Sequence, residues 1–512
     1  MNSPWGQQQL LARMAKVIDE HRDRVAVREP DGTERTYADL AVLIDQIRTR
    51  LGRSNAESPT TEPVGLMLER SGAAYATMWA AIALGRPYVP LNTAYPATRL
   101  AEIIDQAGIR QVVTSAKHVG RAGELGIHGG DLIEVEALGT EHVPTADGTF
   151  DATAAGTTAY VLFTSGSTGR PKGVPISYDN LWSFVDNMAA AIPYEPHDVC
   201  SQVCELSFDF SVHEIYLALL SGSSLCPART IDLFNPAHYA QRHGVTVWIS
   251  VPSLVRVVMA NRRDGDDPLD TIRLSIFNGE ALTTGVAEGW RTVAPNTAIW
   301  NNYGPTECTV AVTVQPWDGE HELTESDVVS IGTAFDDCFT AIDSGAVDGR
   351  PAIIRAEAAP DGVVGELLLS GPQRFDGYLD PALASPFVEA DGVTWYRTGD
   401  RVRWHDGRLF HLGRLDHQVK IGGHRIELLE IEHRLRETLG NDDVAVIAHP
   451  HVQPNELVLF TTRSPESPVT AETTGLASYM VPKRTMTIED LPLNPHGKLD
   501  RGALHRLADP ST

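Results

Sequence analysis

Residues 159–164 read AYVLFT, an apolar run that passes without a break into TSGSTGRPKG at 164–173. The run has the length and character of a buried strand, and the glycines and hydroxyl residues after it read as a loop. Beyond the loop, residues 178–188 carry a helical pattern, with Ser177 or Asp179 placed to cap it. Strand, loop and helix in that order point to α/β layers. The same alternation precedes it, with a strand at 63–67, a helix at 73–84 and the strand QVVT at 111–114. It resumes with strands at 245–250, 272–277 and 298–300. Residues 141–158, rich in Thr, Ala, Gly and Asp, read as a connection. From 332 to 371 strands and turns take over, which predicts a β-rich subdomain. The end of the chain predicts a separate α+β unit: a strand at 418–421, an amphipathic helix at 428–439, and strands at 444–449 and 457–462. A length of 512 residues exceeds what one hydrophobic core holds. The expected fold is α/β, with a large N-terminal domain of α/β subdomains plus a β-rich subdomain over 1–415. A small mobile α+β C-terminal domain follows over 416–512.

The formal net charge of −25 argues against a nucleic-acid binder, because neutralising phosphates needs clustered Lys and Arg. An anionic ligand must then be held by local devices: backbone N–H groups, a few basic side chains, a metal. Cys200, Cys204, Cys226, Cys308 and Cys338 are odd in number and form no CxxC pair. They suit a reducing cytoplasm and neither a disulfide framework nor a zinc site. The N-terminus lacks a basic region followed by an apolar run, so no signal peptide is read there. Residues 71–85, SGAAYATMWAAIALG, are too short and too Ala-rich to span a membrane and read as a buried helix.

The loop at 164–173 offers Thr164, Ser165, Gly166, Ser167, Thr168, Gly169 and Lys172, which supply donors, close approach and a cation to phosphates. Gly173 follows Lys172 where a Walker A loop has Ser or Thr. Taken alone, the segment reads equally as an ordinary flexible loop. Four further segments give it a context: NYGPTE at 302–307, YRTGD at 396–400, GRLDHQVKI at 413–421 and NPHGK at 494–498. In this order the five segments resemble the phosphate loop, adenine and magnesium segment, ribose segment, hinge and terminal lysine motif of the adenylate-forming superfamily. That superfamily includes acyl-CoA synthetases, firefly-type luciferases and amino-acid adenylation domains. The resemblance covers nearly the whole chain.

The resemblance implies activation of a carboxylic acid by ATP and Mg²⁺. Tyr303 would offer an aromatic face to adenine, with Gly279, Glu280, Ala281, Asn301 and Asn302 in the same site. Asp400, an acceptor-only carboxylate, suits the ribose hydroxyls, with Arg414 nearby. Thr306 would bond the α-phosphate and Glu307 would hold the magnesium. The catalytic set implied is Lys498, Lys420, Thr164 and Lys172. Lys498 carries the chemistry, because a carboxylate attacking a phosphate needs a cation between the two anions. Asp416 falls at the hinge, about which the small domain would turn to present Lys498 in one state and residues 420–423 in the other.

Within the superfamily, LSFDFSV at 206–212, GRPYVPLN at 85–92 and VWISVPSL at 247–254 resemble amino-acid adenylation domains and D-alanine–carrier-protein ligases. Asp209 then pairs with the substrate ammonium, and Lys498 with its carboxylate. The remaining pocket positions are Phe210, His213, Ile249, Ile276, Asn278, Asn302, Gly304, Val310 and Ala311. Phe210 and His213 are bulky, which implies a small substrate: L-alanine, glycine or serine. Asn278 stands where D-alanine ligases have Cys, and offers an amide to a serine hydroxyl. The sequence ends 14 residues after Lys498, so the expected acceptor is a separate carrier protein with a phosphopantetheine arm, and the expected state a monomer. A D-alanine ligase, a β-amino acid ligase and an acyl-CoA synthetase stand as alternatives.

Overall fold

The computed structural model describes residues 5–53, 61–138, 156–166, 170–263, 265–319, 327–347, 350–416, 418–450, 454–465, 467–493 and 499–509. The apolar run forms the strand Thr158–Thr164. It lies in a six-stranded sheet ordered Leu132–Glu134, Gln111–Thr114, Val64–Met67, Tyr88–Pro90, Thr158–Thr164, Lys172–Ser177. Every pair is parallel except the last. Strands covered on both faces lose the polar alternation of a half-exposed sheet, which explains the continuous apolar run. The antiparallel return sets Thr164 opposite Lys172. Ser177 caps the next helix, Tyr178–Ala191, in a reciprocal box with Asn180. Asp179 instead accepts the Gly6 N–H at 2.7 Å.

The second sheet has nine strands: Thr333–Ala334, Thr313–Trp317, Ala298–Tyr303, Leu274–Phe277, Val247–Ser250, Val199–Gln202, Ser224–Pro227, Val25–Arg28 and Glu34–Thr36. Its centre is parallel and its edges are antiparallel. The strand expected at 298–300 runs on to Tyr303 because Thr313–Trp317 pairs with it from Ile299 to Tyr303. One hydrophobic core joins the two sheets, and the helix Gly72–Ala83, apolar apart from Thr77, is buried within it. The connection expected at 141–158 lies outside the described residues up to 155, and its last residue, Thr158, already belongs to the strand.

The β-rich region is an antiparallel sheet of six strands. Its long strand Val393–His405 pairs with Arg408–Arg414 so that Asp400 stands opposite Arg414. The small C-terminal domain contains the hairpin Gln418–Ile421/His424–Glu427, the helix Leu428–Leu439 and the sheet Val444–His449, Glu456–Thr461, Arg484–Thr487. It rests on the six-stranded sheet, where Ile426, Leu428 and Ile431 share a core with Leu91, Leu100 and Val161. Burying a side chain of that size contributes about 1.5–3 kcal/mol. None of the described helices is long and apolar enough to cross a membrane.

Candidate active site

The ends of the parallel strands and the hairpin at 418–427 enclose a cleft of about 2080 Å³. Ligands of open parallel sheets collect at such an edge, where successive loops diverge. Thr164, Ser165, Asp209, Phe210, Asn278, Gly279, Glu280, Ala281, Gly304, Thr306, Asp400, Arg414, Asp416 and Lys420 all line it. Ser167, Thr168, Gly169 and Lys498 lie outside the described residues.

At one end sits Asp400, which is buried. Its Oδ1 accepts from Arg414 at 2.8 Å and meets His411 Nε2 at 3.1 Å, and its Oδ2 accepts the Tyr303 hydroxyl at 2.6 Å. Burial raises the carboxyl, but the His411 hydrogen bond and the Arg414 charge outweigh it and hold the group far below the carboxylate range. Arg414 also grips Asp416 with two donors, at 2.7 and 2.6 Å. The amide of Asn301 is engaged by the carbonyl oxygens of Val329 and Ser330, and neither it nor Tyr303 reaches the cleft lining.

His411 was not singled out from the sequence, for a physical reason. It is three residues before Arg414, so strict strand alternation sends the two side chains to opposite faces. A register shift between Arg401 and Val402 brings both onto Asp400.

The phosphate-loop end is crowded with charge. Gly166 is obligatory, since a Cβ there would stand 2.2 Å from the Arg170 carbonyl oxygen. Its N–H donates to Glu430 at 2.9 Å, and the Ser165 hydroxyl donates to the Arg425 carbonyl at 2.9 Å. The Lys172 ammonium lies 5.7 Å from the Tyr378 ring centre. Burial lowers its pKa, and the Arg425 charge adds to that. Glu307 is buried and accepts from the Tyr378 hydroxyl at 3.0 Å and from Arg425 at 2.8 Å. Burial raises its carboxyl, yet the Arg425 charge outweighs this and the net direction is down. No cluster of three or more metal-binding side chains occurs among the described residues. One ionised carboxylate nevertheless fits a magnesium that takes its other ligands from phosphates and water. Arg425 and Glu430 escaped the sequence reading because their partners, Glu307 and Gly166, are remote in the chain.

Lys420 lies between the two ends. Burial pushes its ammonium down, while the carboxylates of Asp400 and, more weakly, Asp209 pull it up. The adjoining turn is fixed from below. Glu280 accepts the N–H groups of Gly423 and Ser253, each at 2.8 Å. A Cβ on Gly423 would meet the Val251 side chain at 2.6 Å.

At the other end, Asp209 accepts the Thr306 hydroxyl at 2.7 Å. Burial raises its carboxyl against that bond and the Lys420 charge. Phe210 and Asn278 close the wall. His213, Ile249, Ile276, Asn302, Val310 and Ala311 are buried behind it and do not line the cleft. His213 bonds the Tyr194 hydroxyl at 2.8 Å and packs edge-on against Phe184 and Phe210. Burial pushes its pKa down to about 3, so it is neutral. Asn278 donates to the Val310 carbonyl at 3.0 Å and accepts the Gly279 N–H at 2.7 Å, so both ends of its amide hold backbone.

That backbone is strained. Thr309 and Val310 have φ of 55° and 70°, a region β-branched residues avoid at a cost of about 1–3 kcal/mol each. Gln373 clamps the turn, donating to the Ala311 carbonyl at 2.6 Å and accepting the Thr309 hydroxyl on its own carbonyl at 2.7 Å. Gly304 permits the close approach, since a Cβ there would fall 2.6 Å from Ala311 Cα.

Comparison with known proteins gives the following. The AMP-binding enzyme family matches residues 14–379. The D-alanine–D-alanyl carrier protein ligase of Bacillus licheniformis is 31% identical over 447 residues, covering 83% of this chain and 85% of the relative. Surfactin synthase subunit 2 of Bacillus subtilis is 29% identical over 493 residues, or 93% of this chain, which spans 13% of that relative's length. A solved Vibrio cholerae adenylation domain, AlmE in complex with glycyl-adenosine-5'-phosphate, superposes with a TM-score of 0.84. It is 29% identical, covering 98% of this chain and 97% of its own.

Proposed function

The chain belongs to the AMP-binding enzyme family, as an AMP-forming adenylation enzyme, and on that premise we propose that it activates alanine or glycine as the aminoacyl-adenylate and passes it to a carrier-protein thiol. The observation that carries this reading is Asp209, a half-buried carboxylate on the cleft wall whose hydrogen-bond partner is the neutral Thr306 hydroxyl. A carboxylate so placed needs a cation from its ligand. An amino acid brings an ammonium; a fatty or aryl acid does not. Phe210, with His213 locked behind it, sets bulky rings at this wall, which supports a small substrate side chain. The Asn278 amide already holds backbone with one donor and one lone pair, which leaves a serine hydroxyl only its second N–H and second lone pair, so serine ranks behind alanine and glycine in this reading.

In the reaction the substrate carboxylate forms a bond to the α-phosphorus of ATP and the bond to pyrophosphate breaks. Asp400 would orient the ribose, Thr306 the α-phosphate, and the phosphate loop with Lys172 the leaving group. Glu307 would hold magnesium, which when bound supplies positive charge to the phosphates. Lys498 is the candidate cation between carboxylate and phosphate, worth about 2.7–4 kcal/mol by analogy with other preorganised transition-state donors. In the second step the thiol sulfur attacks the carbonyl carbon and AMP leaves. Asp416 is the candidate hinge between the steps, and the presence of Lys420 and Gly423 at the cleft suits the second. The glycyl-adenylate of the AlmE structure and the D-alanyl carrier ligase are relatives that support a small amino acid and a carrier acceptor.

The test is amino-acid-dependent ATP–pyrophosphate exchange by wild type and Asp209→Ala, followed by mass spectrometry of loading onto a phosphopantetheinylated carrier or coenzyme A. Exchange abolished by the substitution and loading of the carrier are expected. Exchange unchanged in Asp209→Ala, or thioester formation on coenzyme A alone, contradicts the reading.

A further inference from the structure

Thr309 and Val310 are the one consecutive pair of non-glycine residues with positive φ among the described residues, and both are β-branched. The carbonyls around them point two ways. Those of Cys308, Thr309 and Ala311 face the Gln373 side-chain amide at 3.4, 3.3 and 2.6 Å. That of Val310 accepts from Asn278 at 3.0 Å, on the side of the amino-acid wall. One buried amide thus gathers three carbonyls and leaves the fourth to the wall.

Gln373 follows the strand Val364–Ser370 of the β-rich sheet and is held by a third region, the helix Tyr178–Ala191. Asn187 donates to its Oε1 at 2.9 Å, and Asn180 donates to the carbonyls of Pro372 and Arg374 at 2.6 and 3.1 Å. The turn in turn sets its neighbours. The Thr309 N–H donates to the Thr306 carbonyl at 3.1 Å, and the Thr306 hydroxyl donates to Asp209 at 2.7 Å. Without the amide, the Ala311 carbonyl loses its donor and the strained pair is free to relax to negative φ. That change swings the Val310 carbonyl from Asn278 and shifts Thr306 against Asp209.

We propose that Gln373 is a positioning residue for amino-acid binding, which acts by holding Thr309 and Val310 at positive φ so that Thr306 and Asn278 stand correctly around Asp209. This rests on reading the Asp209 end of the cleft as the amino-acid site, and deepens it by naming a residue outside the cleft lining that keeps the site in shape. A relay runs from Asn187 through Gln373 to the 308–311 turn and ends at the wall.

The test is amino-acid-dependent ATP–pyrophosphate exchange by Gln373→Met, which keeps the volume and removes the donor, beside ATP affinity by calorimetry. The KM for alanine or glycine should rise about 10-fold, the size of one buried hydrogen bond, while saturated kcat and ATP affinity change less than about threefold. The double variant Gln373→Met/Val310→Gly should recover most of the loss, because glycine holds positive φ without a clamp. Asn187→Ala, at the half-buried start of the relay, should show the same split in smaller measure, and it decides the matter where Gln373→Met does not fold. An unchanged amino-acid KM in the variant that decides, a parallel loss of ATP affinity, or no recovery on adding Val310→Gly overturns the proposal and leaves the amino-acid reading intact. A wild-type chain without amino-acid-dependent exchange overturns that reading and the proposal with it.

Discussion

The two ends of the cleft are built on opposite plans. At the nucleotide end carboxylates hold charged partners, Asp400 with Arg414 and Glu307 with Arg425, and the C-terminal domain supplies Arg425 as well as Glu430, which accepts the Gly166 N–H. At the amino-acid end the partners of the wall are neutral. His213 is held by Tyr194, Asn278 by Val310 and Gly279, and the strained 309–310 turn by Gln373. Ion pairs that cross a domain boundary can be exchanged for a ligand's charges when the domain moves. A closed wall of aromatic rings and satisfied amides cannot change without a repacking cost, so it selects by shape. One end is suited to turnover and the other to discrimination.

Substitutions should separate the two plans. The largest effect belongs to Asp209→Ala, which leaves a substrate ammonium unpaired at the cleft wall. Breaking one partner of a buried pair costs about 3–5 kcal/mol, so amino-acid-dependent exchange should fall at least a hundredfold, with ATP binding by calorimetry changed far less. Lys498→Ala is next. It should lower adenylation by roughly 10²–10³ while a synthetic aminoacyl-adenylate is still passed to the thiol, measured in single-turnover loading. Phe210→Ala opens the discriminating wall. Larger amino acids should gain about 1–3 kcal/mol per methylene accommodated, seen as a shift in relative kcat/KM with pyrophosphate binding unchanged. If nucleotide affinity changes as much as specificity, the two ends are not independent.

The smallest effect concerns pH. His424 of the C-terminal domain stacks on Tyr479 at 3.9 Å and meets Phe208 edge-on at 4.5 Å. Burial pushes its pKa down to about 4, below the ordinary value near 6.5. The released or unfolded form therefore takes up the proton first. The seat is favoured above about pH 6.5 and weakens as pH falls toward 4. Limited proteolysis of the C-terminal domain across this range should show increasing cleavage on acidification, and His424→Phe should flatten the trend. His213 titrates in the same direction, so global thermal stability will retain part of its acid sensitivity.

The fold class and the cleft's ingredients were legible in the sequence because both depend on local signals. The parallel strands show as apolar runs such as 159–164, and motif residues such as Thr164, Asp209, Thr306 and Asp400 fall in recognisable contexts. Long-range pairing was not legible. The strands Val25–Arg28, Val199–Gln202 and Ser224–Pro227 are four residues each, and their place in the nine-stranded sheet is fixed only by neighbours far along the chain. His411 was concealed by a bulge, and Gln373 by the absence of any sequence sign for positive φ at Thr309 and Val310. The expected pocket was also too generous, since most of its positions form the second layer that closes it.

The most direct measurement is ATP–pyrophosphate exchange across a panel of glycine, L-alanine, D-alanine, β-alanine, L-serine, L-leucine, benzoate and octanoate. Exchange confined to the small amino acids, with alanine or glycine ahead of serine and no signal from the two plain acids, is the predicted result. Robust exchange with benzoate or octanoate and none with any amino acid would contradict the assignment of Asp209 as the ammonium partner.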